Sequence, residues 1–158
     1  MPIQLLDMRL SVHMPMRASD SEPIDISEPL LIGDIGLQTI PALGTVNVTD
    51  VRVWLSGTVS LLRPATTEAE PSSMTLLIER DGSGTPGSGT IIYEQLVDPG
   101  NLSFNMFPIS LTAGDFPPAA VVNQGWIRYT LYIVSPGENS LLLSGPVSFS
   151  GIAVAGSG

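Results

Sequence analysis

Carboxylates are the most abundant reactive groups in this chain: fifteen Asp and Glu stand against one His and no Cys. Two carboxyl groups facing a sugar can split a glycosidic bond, one as the acid and the other as base or nucleophile. The candidates for such a pair are Glu68, Glu70, Glu79, Glu94, Asp98 and Asp115. None of them falls in a pattern that brings two together. A serine nucleophile needs a base, and the sole imidazole, His13, sits in a proline-broken stretch beside Met14 and Met16. No G-x-S-x-G elbow accompanies it. Zinc is closed off because one His and no Cys leave too few of its ligands. GSGTPGSG (82–89) has the glycines of a phosphate loop but neither its lysine nor a following helix. It is expected to be a flexible hairpin tip. Asp81 and Asp98 are the one pair whose oxygens could serve calcium, on a weak motif. The residues therefore point away from an enzyme and away from any cofactor or resident metal.

Charge narrows the partners. The net charge is −9, and all six basic residues are arginine, at 9, 17, 52, 63, 80 and 128. A polyanion partner needs clustered cations to displace its counterions. These arginines are dispersed among acids, so neither nucleic acid nor an anionic membrane surface is expected. No run approaches the roughly 20 apolar residues of a membrane span. The opening MPIQLLDMRLSVH lacks a basic n-region, and Asp7 and Arg9 interrupt any apolar core of a signal peptide. An extracellular site would then be reached by lysis, mother-cell release or a dedicated secretion system.

Strands must position whatever these residues do. Fourteen prolines leave few windows of helix length, and a proline inside a helix costs on the order of 3 kcal/mol. Short runs rich in Val, Ile, Leu and Thr, bounded by Gly, Asp, Asn and Ser, predict an all-β chain. The strand expectations are 45–62 with a bend at Thr49–Asp50, then 73–82, 90–97, 102–107, 108–115, 126–135, and 140–156 broken at Gly145–Pro146. Segment 116–125 is expected to be a proline-interrupted crossing. In 126–135, Ile127, Tyr129, Leu131 and Ile133 share one face; Trp126, Arg128, Thr130, Tyr132 and Val134 share the other. The fold class is an antiparallel β-sandwich, a jelly roll of about 8–10 strands. Residues 1–34, with one or two edge strands, form an extended acidic arm, and 35–158 form the domain.

The terminal GPVSFSGIAVAGSG (145–158) is expected to close the sheet as a strand, with Val147 and Phe149 inward and Gly151, Ala153 and Ala155 continuing that face. Trp54, Trp126, Tyr132 and Tyr93 exceed what a core of this size should hold. Trp54 and Trp126 share strands with outward Arg52 and Arg128, a pairing of residue types enriched at interfaces.

The order DVRVWLSGTVSLL, MTLLIERDGSG…TIIYEQL, GWIRYTLYIV and SFSGIAV resembles the complement-type, tumour-necrosis-factor-like jelly roll over about two-thirds of the chain. The missing lysine and cysteine and the Gly, Ser and Thr richness bring it closer to the C-terminal domains of bacterial collagen-like exosporium glycoproteins and endospore-appendage subunits. No Gly-X-Y stalk precedes it. The resemblance implies a homotrimer, with Trp54, Arg52, Trp126, Arg128, Tyr132, Phe149 and Ala153 as candidate interface residues. Ile3, Leu5, Leu6, Met8 and Leu10 of the arm would dock on a neighbour. A head-to-tail contact of that kind propagates as a fibre.

The expected function is a self-assembling structural protein on a spore or cell surface. A trimeric head binding a glycan or protein through 63–73, 82–89 and 98–101, and a virion capsid, decoration or fibre protein, are the alternatives.

Overall fold

The computed structural model describes residues 2–17, 21–24, 28–63, 73–98, 106–135 and 141–156. Alternation drives the architecture. Along β4 (Val51–Leu62), Val51, Val53 and Leu55 are buried while Arg52 and Trp54 are exposed. Along β7 (Met106–Asp115), Ile109, Leu111, Ala113 and Asp115 are buried and their neighbours exposed. Such strands need a second layer over the apolar face, and the chain supplies it.

Among the described residues, nine strands form two antiparallel sheets. The first runs β1 (Gln4–Met14), β9 (Leu142–Ala155), β4, β7, with the two-residue β2 (Glu22–Pro23) also pairing β9. The second runs β3 (Leu30–Gln38), β8 (Trp126–Val134), β5 (Met74–Arg80), β6 (Thr90–Val97). Setting the short β2 aside, the eight remaining strands pair first with last, second with seventh, third with sixth and fourth with fifth, which is the jelly-roll wrapping. Between the layers lies one core that includes Ile35, Leu37, Leu55, Ile78, Ile127, Tyr129, Leu131 and Phe149.

Several elements differ from the sequence expectation. Val46–Thr49 is not strand but a 3-10 turn, capped by the Thr45 hydroxyl accepting from the Asn47 amide. Segment 116–125 contains one helical turn, Ala119–Val122. β9 continues through Gly145–Pro146, a cis peptide bond, because the extra length opposite β4 is absorbed by a register shift between Val59 and Leu61. The boundary expected between 34 and 35 falls inside β3. β1 pairs with β9 of its own chain from Gln4 to Met14. The expectations for 102–105 and 99–101, and for most of 63–73, lie outside the described residues.

The two sheets are joined along one side through Asp7. A register shift between Leu5 and Asp7 turns its carboxylate toward the second sheet, where it accepts the Gln38 amide at 2.9 Å and the Arg9 guanidinium at 2.9 Å. Burial pushes the Asp7 carboxyl up, but the Gln38 amide, Arg9 and the Met8 amide outweigh it and hold the group below its ordinary value. At the far side, β6 and β7 end their sheets, and a cleft of about 360 Å³ lies between Gln95–Asp98 and Phe107–Ser110.

Candidate functional site

Two of the candidate acids, Asp115 and Glu79, serve the fold. Asp115 ends β7 and faces inward, where it meets Arg80 of β5 and Tyr129 of β8. Arg80 donates at 2.8 Å and the Tyr129 hydroxyl at 2.8 Å. Burial first, and then the Asp115 charge, push the Tyr129 phenol far above its ordinary value, so it stays a donor. Glu79 is buried too, although it points away from the core. Its two oxygens accept the amides of Gly87 at 2.6 Å and Gly89 at 3.1 Å.

The 82–89 tip is thereby held in place rather than loose. The Asp81 amide donates to the Arg128 carbonyl, Arg128 donates to the Gly82 carbonyl, and the Ser83 amide donates to the Ser88 hydroxyl. Burial raises the Asp81 carboxyl above its ordinary value, with Arg80 opposing. Asp81 and Asp98 stand at opposite ends of the β5–β6 hairpin, so the calcium pair is not assembled. Among the described residues no three His, Cys, Asp or Glu converge on a metal position. Glu94 is on β6 and exposed; Glu68 and Glu70 lie outside the described residues. His13 contacts Glu22 at 2.8 Å at the surface.

The expected interface residues separate into three groups. Tyr132, Phe149 and Ala153 are fully buried within this chain. The small residues of the last strand answer to the core rather than to a neighbour. A β-carbon on Gly151 would stand 2.7 Å from Ile35 Cδ1 and 2.9 Å from Leu55 Cδ2. Trp126 and Arg128 lie on the outer face of the second sheet. Trp54 and Arg52 lie on the outer face of the first. The two tryptophans are therefore on opposite sides of the sandwich.

On the first sheet the arm residues and Trp54 meet. The register places Met8 opposite Ile152, and Ile152 opposite Trp54. Leu5 pairs with Val154, and Val154 with Arg52, in the adjacent outward row. Leu10 and Val12 continue the edge beside Ser150 and Ser148. Arg52 sits 5.8 Å over the ring of Phe116 and donates to Asp50. Leu5, Met8, Leu10, Trp54 and Phe116 are each more than 60% exposed. Ile3 is exposed beside them, whereas Leu6 turns toward the core.

The outward side chains of β1, β9, β4 and β7 in these rows and the next two are Leu, Met, Val, Ile, Trp, Ser, Thr and Gly with Arg52. No carboxylate lies among them, on a chain with fifteen.

No family model matches the chain, and no curated protein matches it. The solved structures similar to it include three of infectious bursal disease virus. They are the T13 viral particle (11% identity, TM-score 0.42), the Gx strain (10%, 0.42) and the VP2 subviral particle (12%, 0.43). Each alignment covers 94% of this chain but only 30–32% of the viral protein, so the chain spans about a third of those proteins. The resemblance to the tumour-necrosis-factor-like family rests on its short motifs alone.

What sequence reasoning missed is that Glu79 holds the 82–89 loop and that Leu5, Val154 and Arg52 form one outward row. Alternation within 74–80 marks Glu79 as outward, but only the returning loop buries it. The row contains residues far apart in sequence that only the register brings side by side.

Proposed function

We propose that this chain is a non-catalytic structural subunit that assembles with copies of itself through the outer face of the β1-β9-β4-β7 sheet. The observation that carries it is the apolar, carboxylate-free surface built from Leu5, Met8, Leu10, Ile152, Val154 and Trp54. An exposed apolar patch rimmed by polar groups marks an interaction site, and each large side chain buried there contributes roughly 1.5–3 kcal/mol. A chain of net charge −9 repels its own copies except where it carries no acid. The rows of this face carry no acid, and the Asp50 carboxylate at their edge is paired with Arg52, which favours a second copy over an unrelated partner. The Ser148, Ser150, Ser56 and Thr58 hydroxyls at its other end give the contact a polar margin.

Within this proposal the closed form is a homotrimer, as the family resemblance implies, and β1 contributes directly as part of the contact surface. A spore or appendage surface and a virion are the two settings for such a subunit. The test is molar mass in solution by sedimentation or light scattering. A multiple of the 16.6 kDa chain mass that falls to one chain in W54D and M8D supports the proposal. A wild-type monomer at high micromolar concentration refutes it.

A further inference from the structure

The opposite face carries a different surface. On the second sheet, Trp126 opens β8 and lies directly opposite Gln38 of β3, at a position half exposed to solvent. Its indole lies against the backbone of Gly36. A β-carbon built on Gly36 would lie 3.2 Å from Trp126 Cε3 and 3.5 Å from Cζ3. The ring thus rests where any other side chain at 36 would stand. An exposed apolar plate seated on backbone in this way loses little freedom when something stacks on it.

Polar groups of fixed position flank the plate. Arg128, two residues along the same outward row, holds Asp34 through two charge-assisted bonds, Nε to Oδ1 at 2.9 Å and Nη2 to Oδ2 at 2.6 Å. Arg128 also reaches the Gly82 carbonyl, which locks it against the 82–89 loop. Asp34 keeps 40% of its side chain in solvent and retains lone pairs for further donors. Directly opposite Asp34 in register is Thr130, whose buried hydroxyl has no partner among the described residues. The Gln38 amide group adds both a donor and an acceptor beside the indole.

This combination selects among ligand chemistries. The Asp34–Arg128 pair is internally neutral, so it draws neither an anion nor a cation. The strongly acidic chain as a whole disfavours an anionic ligand. A quaternary ammonium calls for a cage of several aromatics, and a proline-rich peptide calls for an aromatic-lined groove. Here there is one flat ring. What fits is a ligand with one apolar face and a rim of hydroxyls.

We propose that Trp126, with Gln38, Asp34 and Arg128 on the outer face of the β3-β8-β5-β6 sheet, is a binding site for a neutral saccharide. The C–H face of a pyranose ring stacks on the indole. Its hydroxyls donate to Asp34 and the Gln38 carbonyl and accept from the Gln38 amide. The site stands on the side opposite the assembly face, so an oligomer would present several copies outward, and linked sites gain in avidity. The two proposals rest on separate residues and can fail separately.

The test uses the full chain and a panel of neutral oligosaccharides: maltotriose, cellotriose, mannotriose, chitotriose and lactose. Calorimetry measures affinity, and the two indole N–H signals in a nitrogen–proton correlation spectrum locate the site, with Trp54 as the internal reference. The expected result is saturable binding with Kd on the order of 1 mM, shifting the Trp126 signal and not that of Trp54. W126A should weaken it at least tenfold. G36V, which keeps the indole but lifts it from its seat, should do the same. D34N and Q38A, both at exposed positions, should weaken it severalfold and carry the test if W126A melts early. The proposal is overturned if no member of the panel binds at 50-fold above that order of concentration. It is equally overturned if binding survives both W126A and G36V, or if only a charged sugar or a proline-rich peptide moves the Trp126 signal.

Discussion

Nη1 of Arg80 lies 2.8 Å from one carboxylate oxygen of Asp115 and 2.9 Å from the other, and this contact ties the end of β5 in one sheet to the end of β7 in the other. Both side chains are largely withdrawn from water, at 13% and 9% exposure. Removing one member of a buried pair leaves the other charge without compensation, which costs about 3–5 kcal/mol. R80A and D115A are each expected to lose about that much in urea unfolding. In a double-mutant cycle with R80M and D115L, the double variant should recover the part of the loss due to the unpaired charge but not the roughly 1–3 kcal/mol of the Tyr129 hydroxyl that Asp115 no longer accepts. If the single variants lose less than about 1 kcal/mol, the pair does not hold the layers together.

Glu79 makes a second prediction. Its carboxylate takes the amides of Gly87 and Gly89, and a hydrogen bond to a charged group contributes about 1.5–3 kcal/mol. E79A should therefore leave the sandwich folded but raise hydrogen exchange at Gly87 and Gly89 by tenfold or more. Amides in the middle of β8 should be unchanged. Equal acceleration everywhere would mean that Glu79 stabilises the whole domain and not the loop.

How much of this could be seen in the sequence depends on whether the determining contact is local. Ile127, Tyr129, Leu131 and Ile133 alternate within one strand, so their shared inward face follows from spacing alone. So does the closing strand, where Val147, Phe149, Gly151, Ala153 and Ala155 all turn inward. Trp54, Ile152 and Met8 come from three strands separated by most of the chain. Nothing short of the β1-β9-β4 register shows that they adjoin. The same limit explains Trp54 and Trp126, which look alike as exposed aromatics beside arginines but belong to opposite sheets. Composition also failed for GSGTPGSG. Glycine and serine leave a loop flexible only if no group receives its amides, and Glu79, three residues before the loop, receives two.

The glycines of the core give a graded prediction. A β-carbon on Gly33 would come within 2.6 Å of Phe149 Cβ, which cannot retreat without moving β9. On Gly151 the nearest atoms are Ile35 Cδ1, Leu55 Cδ2 and Leu37 Cδ1, all tips of flexible side chains. Overpacking costs typically about 1–3 kcal/mol, and less where neighbours can rotate away. G33A should fall at or above the upper end of that range and G151A near the lower. Thermal melts of the two variants decide it, and the opposite order would show that β9 and β3 can move apart more easily than the leucine and isoleucine tips can repack.

Asp7 predicts a pH dependence whose sign is fixed by its hydrogen bonds. The Gln38 and Met8 amides and Arg9 favour the charged form in the folded chain, so the folded carboxyl titrates below its ordinary value. A group lowered in this way binds fewer protons folded than unfolded, and stability rises with pH across the interval between the two values. Its contribution is complete above the ordinary carboxylate range, near pH 4. It is lost as pH falls through the lower, folded value. D7N should be less stable than wild type by a constant margin from about pH 5 upward, and the margin should shrink below about pH 4 as the wild-type carboxyl takes up its proton. Urea unfolding of both chains from pH 7 down to pH 2 checks this. A margin that stays constant to the lowest pH would mean that Asp7 joins the sheets by shape and neutral hydrogen bonds, and that its charge contributes nothing.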